Sequence, residues 1–127
     1  MSVLAINPGH NGSAAYVDAD GKLIYYCEEE RLSRSKYDGN PFRAMQRVID
    51  QHPITDLVIG GTTIDLPTLA WTGENPYTAL VRKYHPQVFT TLMGHQHHMG
   101  HAASGFYGSG FDRAAVIVVD GAGSMIE

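Results

Sequence analysis

The sequence predicts an α/β domain built on a mixed β-sheet. Three short apolar runs separated by turn residues occupy roughly the first thirty positions, a pattern typical of antiparallel strands. Helical and strand patterns then alternate, which is typical of parallel strands joined by helices. The chain has 127 residues, of which 43% are hydrophobic. This length and composition suit one modest domain or part of a larger one.

The first three strands are predicted from apolar runs bounded by turn signals. Residues 3–6 form an apolar run that stops at Asn-Pro-Gly, and a second run covers residues 13–17. Residues 18–21, Asp-Ala-Asp-Gly, predict a tight hairpin turn, because Asp-Gly tolerates positive φ. Residues 22–27 then return as a third strand, rich in tyrosine.

The rest of the chain alternates between helical and extended patterns. A polar loop is expected over 28–40, followed by a helix that starts at Pro41 and repeats Phe42, Met45, Val48 and Ile49 at helical spacing. Residues 62–75 show neither a clear helical nor a clear strand pattern, so no element is predicted there. The remaining predictions are strands over 56–59, 88–93 and 114–119 and helices over 76–84 and 97–107, the last one ended by Gly108 and Gly110.

Composition excludes several classes of protein. Charged residues make up only 17% of the chain and the formal net charge is −4, which argues against a general DNA or anionic-membrane binder. Cys27 is the single cysteine, so an internal disulfide is impossible and a reducing compartment is expected. No apolar run reaches membrane-spanning length. The expected location is the cytoplasm.

A histidine cluster over residues 95–101 is the main candidate for chemistry. His97 and His101 are four positions apart, so on a helix they share one face and can bind one metal ion. Asp120 follows the predicted last strand and would add a carboxylate ligand. Gly121 and Gly123 then form a turn of the kind that lets backbone approach phosphate. His95 and His98 lie on other helix faces, and isolated HxxxH pairs also occur without metal.

The turn over residues 7–13 is a second candidate. Gly9 and Gly12 allow tight backbone geometry, and Ser13 and exposed N–H groups can donate to an anion. His10 is suited to act as a general base near neutral pH. The alternative interpretation is an ordinary β-turn with a solvated histidine.

A charged segment is the third candidate. Glu28-Glu29-Glu30-Arg31 is followed by Arg34 and Lys36, which have the charge needed to hold a phosphate or carboxylate. The alternative is a solvated loop with surface ion pairs that contribute little.

Three strings in the sequence resemble one known family. His97-His98-Met99-Gly100-His101-Ala102-Ala103-Ser104-Gly105-Phe106-Tyr107, with the later Asp120-Gly121, resembles the signature of the NodU/CmcH-type O-carbamoyltransferases. Ile6-Asn7-Pro8-Gly9-His10-Asn11-Gly12-Ser13-Ala14-Ala15 resembles the family's first glycine turn, and Glu28-Glu29-Glu30-Arg31-Leu32-Ser33-Arg34 its EEERxSR segment. The three occur in the family's order and cover nearly the whole chain.

The resemblance implies an actin/sugar-kinase/ribonuclease H-like (ASKHA) fold, related to the tRNA threonylcarbamoyl transferases. It implies that a YrdC-like domain makes carbamoyl-adenylate from carbamoyl phosphate and ATP, and that the ASKHA-like domain transfers the carbamoyl group to a hydroxyl of a small-molecule or sugar acceptor. It assigns an iron ion, with zinc as the alternative, to His97, His101 and Asp120, and the catalytic base to His10. The candidate substrate- and nucleotide-binding residues are Gly9, Asn11, Gly12, Ser13, Arg34, Lys36, Gly121 and Gly123.

The chain also departs from this family. Asn11 stands where the family commonly has aspartate, and Gly108 and Gly110 stand where proline is frequent. Residues 1–127 would form only the N-terminal portion of the ASKHA-like domain, without a YrdC-like domain. We therefore expect a fragment that is inactive alone and needs the missing portion or a separate chain that supplies it, with a homodimer left open.

Two other classes remain as alternatives. One is a relative of the tRNA threonylcarbamoyl transferases, against which the EEERxSR string speaks. The other is a non-catalytic half of a split protein. A metalloprotease is disfavoured, because His98 rather than glutamate follows the first histidine of the HxxxH pair.

Overall fold

A computed structural model describes residues 1–9, 11–60, 75–93 and 96–119. The described part contains a five-stranded sheet in the order β3-β2-β1-β4-β5. β1 pairs antiparallel with β2 and parallel with β4, so the sheet is mixed as predicted. The strands are β1 Val3–Asn7, β2 Ser13–Val17, β3 Leu23–Glu28, β4 Asp56–Ile59 and β5 Phe89–Leu92. The helices are α1 Glu30–Ser33, α2 Phe42–Ile49, α3 Pro76–Tyr84 and α4 His97–Ser109.

Alternation along the strands creates one buried face of the sheet. Because successive side chains point to opposite faces, every second residue of β1, β2 and β4 enters the core. The helix α2 covers this face with Ala44, Met45, Val48 and Ile49, as its helical spacing predicts. The core-facing strand residues are Leu4, Ile6, Ala14, Tyr16, Leu57 and Ile59, each no more than 3% exposed. Such burial stabilises the fold by about 25 cal/mol per Å² of apolar surface.

The predicted hairpin between β2 and β3 is confirmed. The backbone N–H of Gly21 donates to the Asp18 carbonyl at 3.0 Å, and Gly21 has φ of +80°. The Asp18 carboxylate accepts from the backbone N–H groups of Asp20 and Lys22. Asp and Gly therefore occupy the two positions at which their conformational preferences are needed.

Other element predictions need correction. The polar loop contains the short helix α1, and α4 runs through Gly108 and ends at Gly110, which has φ of +74°. The strand predicted over 114–119 is wrong, because these residues are in no strand and all except Val118 are exposed. A strand needs a hydrogen-bonding neighbour, and none of the described strands pairs with this run. Residues 62–74 lie outside the described part of the chain.

Glu29 is a buried carboxylate at the N-terminus of α2. It is 2% exposed and accepts from the backbone N–H groups of Ala44 at 2.9 Å and Arg43 at 3.3 Å. The first N–H groups of a helix have no partner within the helix, and a negative charge is favoured there. The backbone N–H of Glu29 also donates to the Gly12 carbonyl at 2.7 Å. Glu29 therefore connects α2 with the turn that follows β1.

The turn after β1 packs closely against the loop that follows α1. The N–H groups of Gly9 and Gly12 donate to the carbonyls of Gly39 and Asp38, each at 2.9 Å. A Cβ added at Gly39 would lie 2.7 Å from the Gly9 carbonyl oxygen, and one at Gly12 would lie 2.7 Å from the Gly39 carbonyl carbon. Only glycine allows the two backbones to approach this closely.

We predict that Gly39→Ala lowers the free energy of unfolding by about 1–3 kcal/mol, because its Cβ would collide with backbone that has little room to move. Urea denaturation followed by circular dichroism measures the change. Gly108→Ala is the matched control, since a Cβ there meets nothing within 4 Å. We expect the control to be neutral or slightly stabilising. Equal effects of the two substitutions would contradict the close approach.

We predict that Glu29→Gln destabilises the chain by about 1–3 kcal/mol, because a buried amide nitrogen would replace an oxygen that accepts from the start of α2. Glu28→Gln is the control, since within the described part of the chain the Glu28 carboxylate pairs with the exposed Arg31 at 3.6 Å and accepts from no helix N-terminus. Urea midpoints that shift equally for both variants would show that the Glu29 carboxylate has no special role.

Candidate functional site

The topology brings all three predicted constellations to one edge of the sheet. β4 and β5 run parallel to β1, and β3 also does because it is two antiparallel steps away. The carboxyl ends of these four strands therefore lie at the same end of the sheet, which we call its carboxyl-terminal edge. The glycine turn follows β1, the charged segment follows β3, and α4 follows β5. Ligands in open α/β sheets commonly bind at such an edge.

The helix α4 places His97 and His101 together, as their spacing predicts. Their Nε2 atoms are 3.0 Å apart and their rings meet edge to face, with centroids 4.4 Å apart. His98 projects from a different position on the helix, and its ring centroid is 5.6 Å from that of His97. Two imidazole nitrogens therefore converge on one point at the first turn of α4.

This histidine pair faces the ends of two parallel strands. A cleft of about 220 Å³ is lined by Asn7 at the end of β1, Gly60 after β4, and Gln96, His97, Gly100 and His101. The Gly60 N–H donates to the Ile6 carbonyl at 2.8 Å, so the β1–β4 pairing extends to Gly60, a residue that lines this cleft. The cleft combines two histidines with two amide residues, Asn7 and Gln96, beside the predicted anion-binding turn.

The pair is suited to a metal ion by its donor atoms and spacing. Nitrogens 3.0 Å apart can both bond one ion at about 2.1 Å, the usual zinc–imidazole distance. Within residues 1–9, 11–60, 75–93 and 96–119, no group of three histidine, cysteine, aspartate or glutamate side chains is gathered as a ligand set. Asp120, the predicted third ligand, lies outside the described residues, as do Gly121 and Gly123.

The apolar run that precedes Asp120 lies beside the same helix. Val116, Ile117, Val118 and Val119 line a second cleft of about 250 Å³ together with His101 and Gly105. Ile117 and Val119 are more than four-fifths exposed. The run therefore lies next to one metal-binding candidate although it is not part of the sheet.

The glycine turn differs in one respect from the sequence interpretation. The N–H groups of Gly9 and Gly12 are already bonded to the carbonyls of Gly39 and Asp38. An anion at this turn would therefore have to be held by other groups, such as the backbone of Asn11 or the hydroxyl of Ser13. Asn11 has φ of +62°, a left-handed conformation that asparagine tolerates better than most residues. His10 lies outside the described residues.

The loop that carries Arg34 and Lys36 packs against this turn. Arg34 and Tyr37 have φ of +62° and +61°, which is unfavourable for such side chains and often marks functional segments. Both cations are exposed, and neither forms an ion pair within the described part of the chain. The Lys36 ammonium lies 4.9 Å from the centroid of the Tyr37 ring. Two positive charges are thus presented on a loop whose backbone is held by the glycine turn.

Two titratable groups hold that loop in place. The backbone N–H of Asn40, and then the Ser33 hydroxyl, lower the pKa of Asp38, so its carboxylate stays charged to a lower pH than an ordinary aspartate. Its stabilising effect is present above the ordinary aspartate pKa and is lost as pH falls through the lowered value. Burial raises the pKa of Tyr77, whose hydroxyl donates to the Asn40 side-chain oxygen at 3.1 Å.

Three residues that shape the site were not among the predicted site residues. Asn7 and Gly60 line the histidine cleft, and Glu29 holds the adjacent turn through backbone contacts. The glycine pair at the end of β4 was a usable signal for Gly60, because the carboxyl ends of parallel strands share one edge. Glu29 had no such signal, since Glu28 and Glu30 flank it with the same chemistry.

Comparison with known proteins finds similarity to a curated protein. No family model matches the sequence. The chain is similar to the uncharacterized protein sll1178 of Synechocystis sp., with 26% identity over 156 residues that include 95% of the chain and 25% of the relative. The chain thus spans about a quarter of the length of the curated relative it matches. None of the described helices has both the length and the apolar composition that crossing a bilayer requires.

We predict that the purified chain binds ferrous or zinc ion through His97 and His101, because their Nε2 atoms converge at 3.0 Å. Replacing both by alanine removes the pair, and we expect metal affinity to fall at least about tenfold. Metal content after dialysis and competition with a chromophoric chelator measure the change.

His98→Ala is the matched control, since adjacent positions on a helix are about 100° apart and residue 98 therefore leaves α4 in a different direction from residues 97 and 101. We expect this variant to keep nearly full affinity. Unchanged metal content in a folded His97→Ala/His101→Ala variant would refute the assignment.

Proposed function

We propose that this chain is the N-terminal part of a NodU/CmcH-type O-carbamoyltransferase. The reaction is transfer of a carbamoyl group from carbamoyl-adenylate to a hydroxyl of a small-molecule or sugar acceptor. Carbamoyl-adenylate comes from carbamoyl phosphate and ATP in a YrdC-like domain outside residues 1–127. The relative of about four times the aligned length is consistent with such an arrangement.

One observation carries the proposal. Three separate strings resemble the family, and the strands that precede them end at the same edge of the sheet. At that edge, His97 and His101 share a cleft with Asn7, the residue at which β1 ends and the glycine turn begins.

The finer fold assignment is part of the same proposal. An ASKHA-like domain begins with antiparallel strands and continues with parallel strands and flanking helices. The order β3-β2-β1-β4-β5, with β1 between an antiparallel and a parallel neighbour, is compatible with that description. The missing portion of the domain would come from a continuation of the chain or from a separate chain.

The residues of this chain have distinct roles in the proposed reaction. His10 accepts the proton from the acceptor hydroxyl, whose oxygen then bonds the carbamoyl carbon. The bond from that carbon to the adenylate oxygen breaks, and AMP leaves with the electron pair. Arg34 and Lys36 would offset the negative charge of the phosphate, supported by the backbone N–H of Asn11 and the hydroxyl of Ser13.

The histidine pair would hold the metal. His97 and His101 supply two neutral imidazole nitrogens, and Asp120 is proposed as a further ligand because it directly follows Val119, which shares a cleft with His101. Iron is the ion implied by the family resemblance, and zinc is the alternative. When bound, such an ion acts as a Lewis acid that polarises an oxygen of the carbamoyl or phosphate group.

We predict that a stable sulfamoyl analogue of carbamoyl-adenylate binds the chain at this edge. Amide NMR shifts should concentrate in residues 11–13, 34–40 and 97–101, because those segments border the proposed site. Lys36→Ala should weaken binding about tenfold through loss of one charge-assisted contact. Lys83→Ala is the matched control, since Lys83 also lies over a neighbouring tyrosine ring but on α3.

The same preparation should give no carbamoylated product from labelled carbamoyl phosphate, ATP and a panel of small alcohols and sugars. The activating domain is absent from the proposed fragment. Product formed by the chain alone would contradict the fragment assignment, whereas analogue shifts spread elsewhere on the surface would contradict the site.

A further inference from the structure

Asn7 is a polar residue of the histidine cleft to which the proposed reaction assigns no role. It ends β1 and lines the cleft of about 220 Å³ together with Gly60, His97 and His101. Because Ile6 enters the core on the face that α2 covers, the alternation of side chains along β1 places Asn7 on the opposite face. Asn7 is accordingly exposed.

The side-chain oxygen of Asn7 lies beside Gly60, which lines the same cleft. A Cβ built on Gly60 would lie 4.0 Å from this oxygen and 3.5 Å from the Ile6 carbonyl oxygen. Glycine at position 60 therefore leaves the Asn7 oxygen accessible to a group in the cleft. The Asn7 carboxamide forms no hydrogen bond with any residue in the described ranges of the chain. A ligand can thus use both its oxygen and its N–H groups.

A carboxamide and a carbamoyl group have complementary hydrogen-bonding atoms. The oxygen of the carboxamide can accept from the amino group of the carbamoyl unit, and its N–H can donate to the carbamoyl oxygen. The cleft suits a small group of this kind, because its volume lies below the about 300–1,000 Å³ of pockets that enclose drug-sized ligands. A whole nucleotide would extend beyond it.

We propose that the side-chain oxygen of Asn7 accepts a hydrogen bond from the amino group of the carbamoyl unit and so selects carbamoyl-adenylate over other acyl-adenylates. This inference rests on the proposed function and adds a specificity-determining residue to it. The carbamoyl unit then lies in the cleft of His97 and His101, while Arg34 and Lys36 meet the phosphate from the neighbouring loop. Both groups are bound at the carboxyl-terminal edge of the sheet.

Selection against an acetyl group requires a hydrogen-bond acceptor. Acetyl and carbamoyl groups have nearly the same shape, so the fit of the cleft does not separate them. They differ because the amino group donates hydrogen bonds where the methyl group donates none. A site that pairs a polar atom with a substrate N–H disfavours the analogue without it, since the polar atom then loses its partner. The Asn7 oxygen is an acceptor of this kind.

Gln96 is the second amide residue of the cleft. It is the N-cap residue of α4, and its side chain makes no capping hydrogen bond. Gln96 lies on the connection between β5 and α4, whereas Asn7 is part of a strand that is paired on both sides. Groups on strands are held more precisely than groups on loops, which favours Asn7 as the selective residue.

Two sulfamoyl adenosines, one with an N-carbamoyl and one with an N-acetyl group, test the proposal. NMR titrations of the full chain should show about tenfold higher affinity for the carbamoyl analogue. Asn7→Leu should reduce this ratio to about two or less, because leucine is of similar size but accepts no hydrogen bond. Gln87→Leu is the matched control, since Gln87 is also an exposed amide residue but precedes β5, at the other end of the sheet.

Asn7→Asp separates hydrogen bonding from a merely structural role. Its carboxylate oxygen also accepts from the amino group, so the preference should persist even though the added charge weakens both analogues. Equal affinities of the unchanged chain for the two analogues would overturn this inference and leave the proposed function standing. A preference that survives Asn7→Leu, or that is lost in Gln96→Leu instead, would also overturn it. Binding of neither analogue would contradict the proposed function itself, and this inference with it.

Discussion

The pairing of β1 with two different neighbours determines the arrangement of everything else. β1 has an antiparallel partner in β2 and a parallel partner in β4. Reversing either pairing would send the following segments to opposite edges of the sheet. With both in place, the strands β1, β3, β4 and β5 all end at one edge, and the polar segments after them become neighbours. The directions of the strands therefore bring the candidate segments together, and the side chains of those segments then give the site its chemistry.

Two further constraints hold that edge together. Gly12 and Gly39 allow two backbone segments to touch, and the resulting bonds use the N–H groups of Gly9 and Gly12. The buried Glu29 carboxylate then joins the same region to the start of α2. Because these N–H groups already donate to carbonyls, an anion at this turn would be bound by neighbouring groups and not by the glycine backbone. The glycines serve mainly to bring the Arg34 and Lys36 loop beside the turn.

The histidine pair shows how local and tertiary information combine. Their spacing along a helix suffices to predict that the two rings meet, and their Nε2 atoms do converge. Spacing alone does not show what else lies nearby. Asn7 and Gly60 reach the same cleft only because β1 and β4 are parallel neighbours. The imidazoles of His97 and His101 therefore line a cleft beside the glycine turn, which is the candidate anion-binding site.

The sequence by itself determined the features that depend on short-range physics. Short apolar runs predicted the strands β1 and β2, Asp18 and Gly21 predicted the hairpin, and helical spacing predicted α2 and the contact of His97 with His101. Only the tertiary structure decided features that require a distant partner. The burial of Glu29 depends on the N–H groups of α2, and the close contact of Gly39 depends on Gly9. The run 114–119 has strand-like residues but lacks a neighbouring strand, and hydrogen bonds to a neighbour are what make a strand.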